Sequence, residues 1–195
     1  MKRICLTLFV VISAIVLSAE NTDEHLKQLV QCINDSDFVC AAEQLPLVEN
    51  TEWNTSYALP DTNAMSRFME YLVANERYDA SIIVAQQLIK IYEKEALVNT
   101  NGYIHTLVVL GNQYLQAGQY PSAIQYLNEA LTRQQTILGP DHYDCLNTLR
   151  IIGETYRAMA DYERAEQCYL QMLNTIETSV STTCDDYAIT LNNLG

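Results

Sequence analysis

One motif recurs in this chain at a fixed offset, and no other feature restricts the fold so strongly. Leu107, Leu110, Gly111, Tyr114, Tyr120, Ala123, Leu127, Ala130 and Leu131 are answered 42 positions later by Leu149, Ile152, Gly153, Tyr156, Tyr162, Ala165, Tyr169, Met172 and Leu173. Nine positions keep their chemical character at one spacing. A period of this size marks a protein of stacked units, each too small to bury its apolar face alone.

Each copy reads as two helices. Ile104, Leu107, Val108, Leu110, Tyr114 and Leu115 recur at helical spacing, and Ile124, Leu127, Ala130, Leu131 and Ile137 form a second apolar stripe. Between them, Gly118 is placed to take a left-handed helix end, and Pro121 sits just inside the next helix, where its missing N–H costs nothing. Gly139-Pro140-Asp141 ends the unit. Gly111 and Ala123 allow two antiparallel helices to approach closely, with Tyr114 and Leu127 filling the space beside them. Stepping back 42 from Tyr120 reaches Tyr78, with Ser81, Leu88 and Ile89 at the matching positions but Met69 at the glycine position. A further 40 back lie Phe38 and Ala41, preceded by Leu26, Leu29, Val30 and Ile33. Forward from Gly153 the offset lands on Gly195. About four helical hairpins are expected, with the chain ending midway through the next. Helices are expected at about 62–74, 78–94, 103–117, 120–137, 143–159 and 162–178, with 96–102 as a loop and 49–61, holding Trp53, Tyr57 and Pro60, as an irregular connector.

The pattern Leu-x2-Leu-Gly-x2-Tyr, followed by Ala, a bulky residue and Ala on the second helix, resembles the tetratricopeptide repeat. The period of 42, with Leu138-Gly139-Pro140-Asp141-His142 between units, is similar to the longer variety found in kinesin light chains. The resemblance covers roughly residues 22–195, strongly in the two central copies and weakly in the first two. It implies an all-α solenoid of antiparallel helix hairpins, coiled into a right-handed superhelix. It also implies that the first helix of each pair lines a concave, peptide-binding groove. The implied groove positions are His105, Val108, Val109, Asn112, Leu115 and Gln116 in one hairpin. In the next they are Asn147, Arg150, Ile151, Glu154, Arg157 and Ala158, and Asn192 and Asn193 fall in the last helix. Asn192-Asn193 reproduces a pair common in kinesin-light-chain-like repeats, whereas Val108-Val109 and Arg150-Ile151 depart from it.

At the amino terminus, Lys2 and Arg3 precede an apolar run from Ile4 to Leu17 and then Ser18-Ala19-Glu20. This is the pattern of a secretory signal peptide, residues 1–19, and the run is short for a span of roughly 20 residues. An uncleaved anchor is the alternative. The remaining division is a degenerate first hairpin and connector at 20–60 and the repeats at 61–195. Export sets the redox context of the cysteines. Cys32 and Cys40 flank the turn Asn34-Asp35-Ser36-Asp37, so a disulfide between them and a pair of buried free thiols are both open. Five cysteines remain after cleavage, so at least one of Cys32, Cys40, Cys145, Cys168 and Cys184 is unpaired or pairs between chains. No Cys-x-x-Cys pair occurs, which argues against a zinc or redox motif.

The formal net charge is −13, and −15 without Lys2 and Arg3. Nucleic-acid binding needs clustered cations to displace counterions, and this balance opposes it. The chain has three histidines and no His-Glu-x-x-His, phosphate-cradling glycine loop or Gly-x-Ser-x-Gly. Asp141-His142-Tyr143-Asp144 is the densest polar cluster, and its place between repeats assigns it to turn and capping duties rather than to a metal. The expectation is a non-catalytic, cofactor-free, extracytoplasmic scaffold, secreted or periplasmic, that binds a protein or peptide, with no nucleic-acid partner and no membrane contact after cleavage. The second reading is the amino-terminal repeat region of a longer enzyme or signalling protein, such as one with a caspase-like peptidase domain. Self-association through Ile189, Leu191 and Leu194 on the unpartnered last helix is a further expectation.

Overall fold

The computed structural model describes residues 22, 24–48, 53 and 61–178. Within them the regular structure is entirely helical. Residues 24–34 form α1, Phe38–Gln44 α2, Thr62–Ala74 α3, Tyr78–Lys94 α4, Asn101–Gln116 α5, Tyr120–Leu138 α6, Tyr143–Ala158 α7 and Tyr162–Thr178 α8, with a short 3-10 turn at Leu45–Leu47. Two compact units contain these elements, residues 1–83 and 84–195.

The same turn closes every hairpin. After α1, Ser36 N–H donates to the Ile33 carbonyl (3.1 Å) and Asp37 N–H to that of Cys32 (2.9 Å). After α3, Glu76 donates to Val73 and Arg77 to Leu72; after α5, Gly118 to Leu115 and Gln119 to Tyr114; after α7, Ala160 to Arg157 and Asp161 to Tyr156. Each pair is the double bond of a Schellman end, which requires a left-handed residue. Ser36, Glu76, Gly118 and Ala160 all have positive φ, between 58° and 72°. The next residue opens the following helix: the carbonyls of Asp37, Arg77, Gln119 and Asp161 accept from Ala41, Ser81, Ala123 and Ala165. The Asp37 side chain also accepts from Cys40 N–H (3.1 Å), and that of Asp161 from Arg164 N–H (3.2 Å). Only about three residues therefore separate two antiparallel helices, and the spacing of the left-handed residues, 40, 42 and 42, reproduces the sequence period.

In residues 84–195, α5 packs on α6, α6 on α7 and α7 on α8. Leu107, Leu110, Ala123, Leu127 and Ala130 are completely buried. A Cβ on Gly111 would lie 2.6 Å from Leu127 Cγ, and one on Gly153 would lie 2.7 Å from Tyr169 Cε1. The helix pairs are thus in contact at the two glycines, as the motif implies. Leu146, Leu149, Ala165, Tyr169, Met172 and Ile176 make a contiguous core for the α7–α8 pair. Tyr162 departs from this pattern: it repeats Tyr120 in sequence but is 67% exposed. Helix α5 starts at Asn101, inside the expected loop, because the Thr100 hydroxyl accepts from Tyr103 N–H (3.3 Å) and caps it there.

Residues 1–83 solve the same packing problem differently. Met69, at the glycine position, is fully buried, and the buried Ser81 hydroxyl donates to its carbonyl (3.3 Å). Phe38 packs against Phe68 and Tyr71, with ring centroids 5.8 and 5.7 Å apart. Within the first hairpin, His25 Nδ1 donates to Gln44 Oε1 (3.0 Å), so this histidine has a structural bond. Cys32 and Cys40 are joined by a disulfide, their Cα atoms 5.9 Å apart, inside the usual bridging range. Trp53, in the irregular connector, is buried. Cys184 and the expected last helix with Ile189, Leu191 and Leu194 lie outside the described residues.

Two stability predictions follow from this geometry. An L-residue in the left-handed region costs roughly 1–2 kcal/mol, partly offset in a glycine by unfolded-chain entropy. Ala160→Gly should therefore raise stability by about 0.5–1 kcal/mol, and Gly118→Ala should lower it by a similar amount, read from urea unfolding midpoints. At the α5–α6 contact, Gly111→Val should cost about 2–3 kcal/mol through overpacking. Leu127→Ala in the same chain should return part of that loss, giving a positive coupling in a double-mutant cycle; strict additivity would contradict the contact.

Candidate binding surface

The groove positions named by the repeat register are spaced three and four residues apart on α5 and α7, so each set occupies one helix face. On α5, His105 and Gln116 are exposed and Asn112 is half-buried. On α7, Asn147, Arg150 and Glu154 are half-buried, Arg157 and Ala158 are exposed, and Ile151 is buried, so it adds to the core rather than to a surface. Asn192 and Asn193 lie outside the described residues.

Three of the α7 residues are already connected. Arg150 Nη1 donates to Glu154 Oε1, and Nη2 donates to Asn147 Oδ1 at 3.0 Å. The guanidinium is thereby held along the helix, its charge matched by Glu154 and the Asn147 amide fixed in orientation. Such half-exposed i,i+4 pairs stabilise a helix by only a few tenths of a kcal/mol, about 0.3–0.5. The arrangement matters more as a preset row of polar groups. Glu154 also lies close enough to Tyr169 to raise its phenol pKa, after the larger effect of burial, with Arg157 opposing.

Helices α5 and α7 meet at a cavity of about 250 Å³. His105, Val108 and Asn147 line it, so three of the register-derived positions do share one concavity. Ile104, Leu138 and Asp144 contribute to the wall, together with two residues that the motif does not flag, Gln134 and Thr148. Both are buried, and Gln134 Oε1 and Thr148 Oγ lack a hydrogen-bond partner. A sequence signal for Gln134 does exist. One repeat earlier and one later the same register holds Tyr92 and Ile176, both buried apolar-bodied residues.

A second, larger cavity of about 590 Å³ lies against α6 and the loop before α5, lined by Asn99, Glu129, Thr132, Arg133, Thr136 and Ile137. Its charged groups bond to one another. Arg133 donates to Glu129 Oε1 (2.9 and 3.1 Å), to the Val98 carbonyl (3.0 Å) and to Asn99 Oδ1 (3.0 Å), and Tyr103 donates to Glu129 Oε1 (3.1 Å). The guanidinium also stands 5.0 Å from the Tyr103 ring centre. Burial and the bond to Glu129 push the Tyr103 phenol up to about 12. This cluster fastens the 95–100 loop to α6.

The polar run at 141–144 does cap a helix: His142 Nδ1 accepts from Asp144 N–H (3.2 Å) at the start of α7. Cys145 Sγ donates to the Gly139 carbonyl (3.2 Å), and burial raises the pKa of both Cys145 and Cys168. Neither thiol is set up as a nucleophile. Among the described residues no three His, Cys, Asp or Glu side chains come together as metal ligands, and no helix is long and apolar enough to cross a membrane.

Residues 102–178 match the family model of the tetratricopeptide repeat. That segment holds both central copies of the motif. BtubC (BKLC) from P. vanneervenii is structurally similar, with a TM-score of 0.66 at 14% identity over 91% of this chain and 81% of that one. Two structures of nearly identical TPR-like repeats from Podosopora anserina are also similar. They have TM-scores of 0.64 and 0.63, each at 14% identity over 89% of this chain and 83% of theirs. No curated protein sequence matches the chain. The fold is an all-α solenoid of antiparallel helix hairpins, the architecture of a repeat scaffold.

Proposed function

We propose that this chain is a non-catalytic scaffold that holds a protein or peptide segment along the first-helix faces of its hairpins. The observation that carries the proposal is the cavity shared by α5 and α7. His105 and Asn147 occupy the same repeat register, and both line it. A segment lying across α5 and α7 meets His105, Asn112 and Gln116 on one helix and Asn147, Arg150, Glu154 and Arg157 on the next. Amides there can both donate to and accept from an extended backbone, and the fixed Arg150 fork can hold a carbonyl or carboxylate. Repeat scaffolds of this kind generally serve protein interaction.

The proposed location is extracytoplasmic. The basic start and apolar run at residues 2–17 support it, and so does the Cys32–Cys40 disulfide, since such bonds persist in oxidising compartments.

Selection of peptides from a random library on the 195-residue chain tests the binding role. Asn112→Ala and Arg150→Ala should each weaken a selected peptide about tenfold, close to 1.4 kcal/mol. Thr132→Ala on α6 and Gln167→Ala on α8, both at exposed positions, should leave affinity unchanged. Equal losses in the two sets, or failure of every peptide, would contradict the assignment.

A further inference from the structure

The cavity between α5 and α7 has a chemistry of its own. Three features set it apart from the rest of the packed interior. First, Gln134 occupies a register that carries Tyr92 in one neighbouring repeat and Ile176 in the other, yet it is only 5% exposed and its Oε1 has no partner. A buried, unpaired amide oxygen of this kind costs on the order of 1–3 kcal/mol. Second, Thr148 repeats Thr106. The Thr106 hydroxyl donates to the Gly102 carbonyl one turn back (2.8 Å), whereas the fully buried Thr148 hydroxyl has no partner. Third, Asp144 is the one acidic wall residue, and no Lys or Arg lines the cavity. The nearby Arg150 is turned away along α7, bonded to Glu154 and Asn147.

The unpaired oxygens of Gln134 and Thr148 and the Asp144 carboxylate therefore line a cavity with an apolar wall of Ile104, Val108 and Leu138. We infer that this cavity is a specificity pocket for one basic side chain, a lysine or arginine, of the protein segment held by the scaffold. The alkyl stem lies against Ile104, Val108 and Leu138. The charged head donates to Gln134 Oε1 and Thr148 Oγ and is balanced by the Asp144 carboxylate. The size favours a side chain: about 250 Å³ falls below the range of roughly 300–1,000 Å³ typical of small-molecule sites. The inference rests on the scaffold reading for the source of the side chain, and on the cavity alone for its chemistry.

The test uses the whole chain, isotopically labelled and followed by NMR. The probes are Nα-acetyl-arginine methylamide and the lysine, norleucine and glutamate analogues. The arginine or lysine probe should shift the amide signals of Asn147, Thr148 and the Gln134 side chain saturably, at least about tenfold more tightly than norleucine or glutamate. Gln134→Ile restores the apolar register of the neighbouring hairpins, so it should fold and abolish the response; Thr148→Val should weaken it. Equal binding of norleucine or glutamate, or an unchanged response in folded Gln134→Ile, overturns the inference. A second arm uses peptides selected on the chain, with and without their basic residue. A loss of at least about tenfold on its replacement by norleucine supports the pocket. No loss sinks the pocket and leaves the scaffold reading standing. Failure of all peptides sinks the scaffold reading and with it the side chain's source, and the free probes then decide the chemistry of the cavity alone.

Discussion

Two helices separated by about three residues have no freedom to diverge, and this constraint governs the whole architecture. A Schellman end with one left-handed residue reverses the chain at Ser36, Glu76, Gly118 and Ala160, and the residue after it already begins the next helix. The paired helices must then find a close fit at a fixed height above the turn. In the two regular hairpins that fit is glycine against a bulky side chain, Gly111 on Leu127 and Gly153 on Tyr169. Where methionine replaces glycine, a buried serine bonded to the Met69 carbonyl takes over the contact. The period of the sequence is the period of this turn.

The fold was therefore legible wherever packing is repeated. The bounds of α3, α4 and α8 coincide with the stretches set by apolar spacing, and the core positions of the motif are buried. Legibility failed where a residue answers to its surroundings rather than to its own propensity. Three of the four left-handed turn residues, serine, glutamate and alanine, carry no glycine signal, because the topology imposes a conformation that their side chains disfavour. Tyr162 keeps the identity of its repeat position but is exposed where Tyr120 is half-buried. Thr100 moved the start of α5 forward by capping it. Gln134 and Thr148 were missed for the opposite reason. The motif records what repeats, and these two matter because they do not repeat the surroundings of their counterparts.

That contrast bears on function. A solenoid supplies a regular array of faces, and specificity must come from departures from regularity. On α7 one departure is the Asn147–Arg150–Glu154 row, which sets a guanidinium in place before any ligand arrives. Prepaid ordering of this kind lowers the entropic cost of binding. The other departure is the polar lining of the cavity beside it. The row lies on α7 and the cavity between α5, α6 and α7, whereas the cluster of Tyr103 on α5 with Glu129 and Arg133 on α6 is satisfied by its own partners and ties a loop in place.

The most direct test of this account is hydrogen exchange on the whole chain with and without a peptide selected on it. Binding along the first helices predicts slowed exchange in α5 and α7, centred on residues 105–116 and 147–157, with α6 and α8 changed little. Protection centred on the exposed faces of α6 and α8, or none in α5 and α7 at saturating peptide, would contradict it.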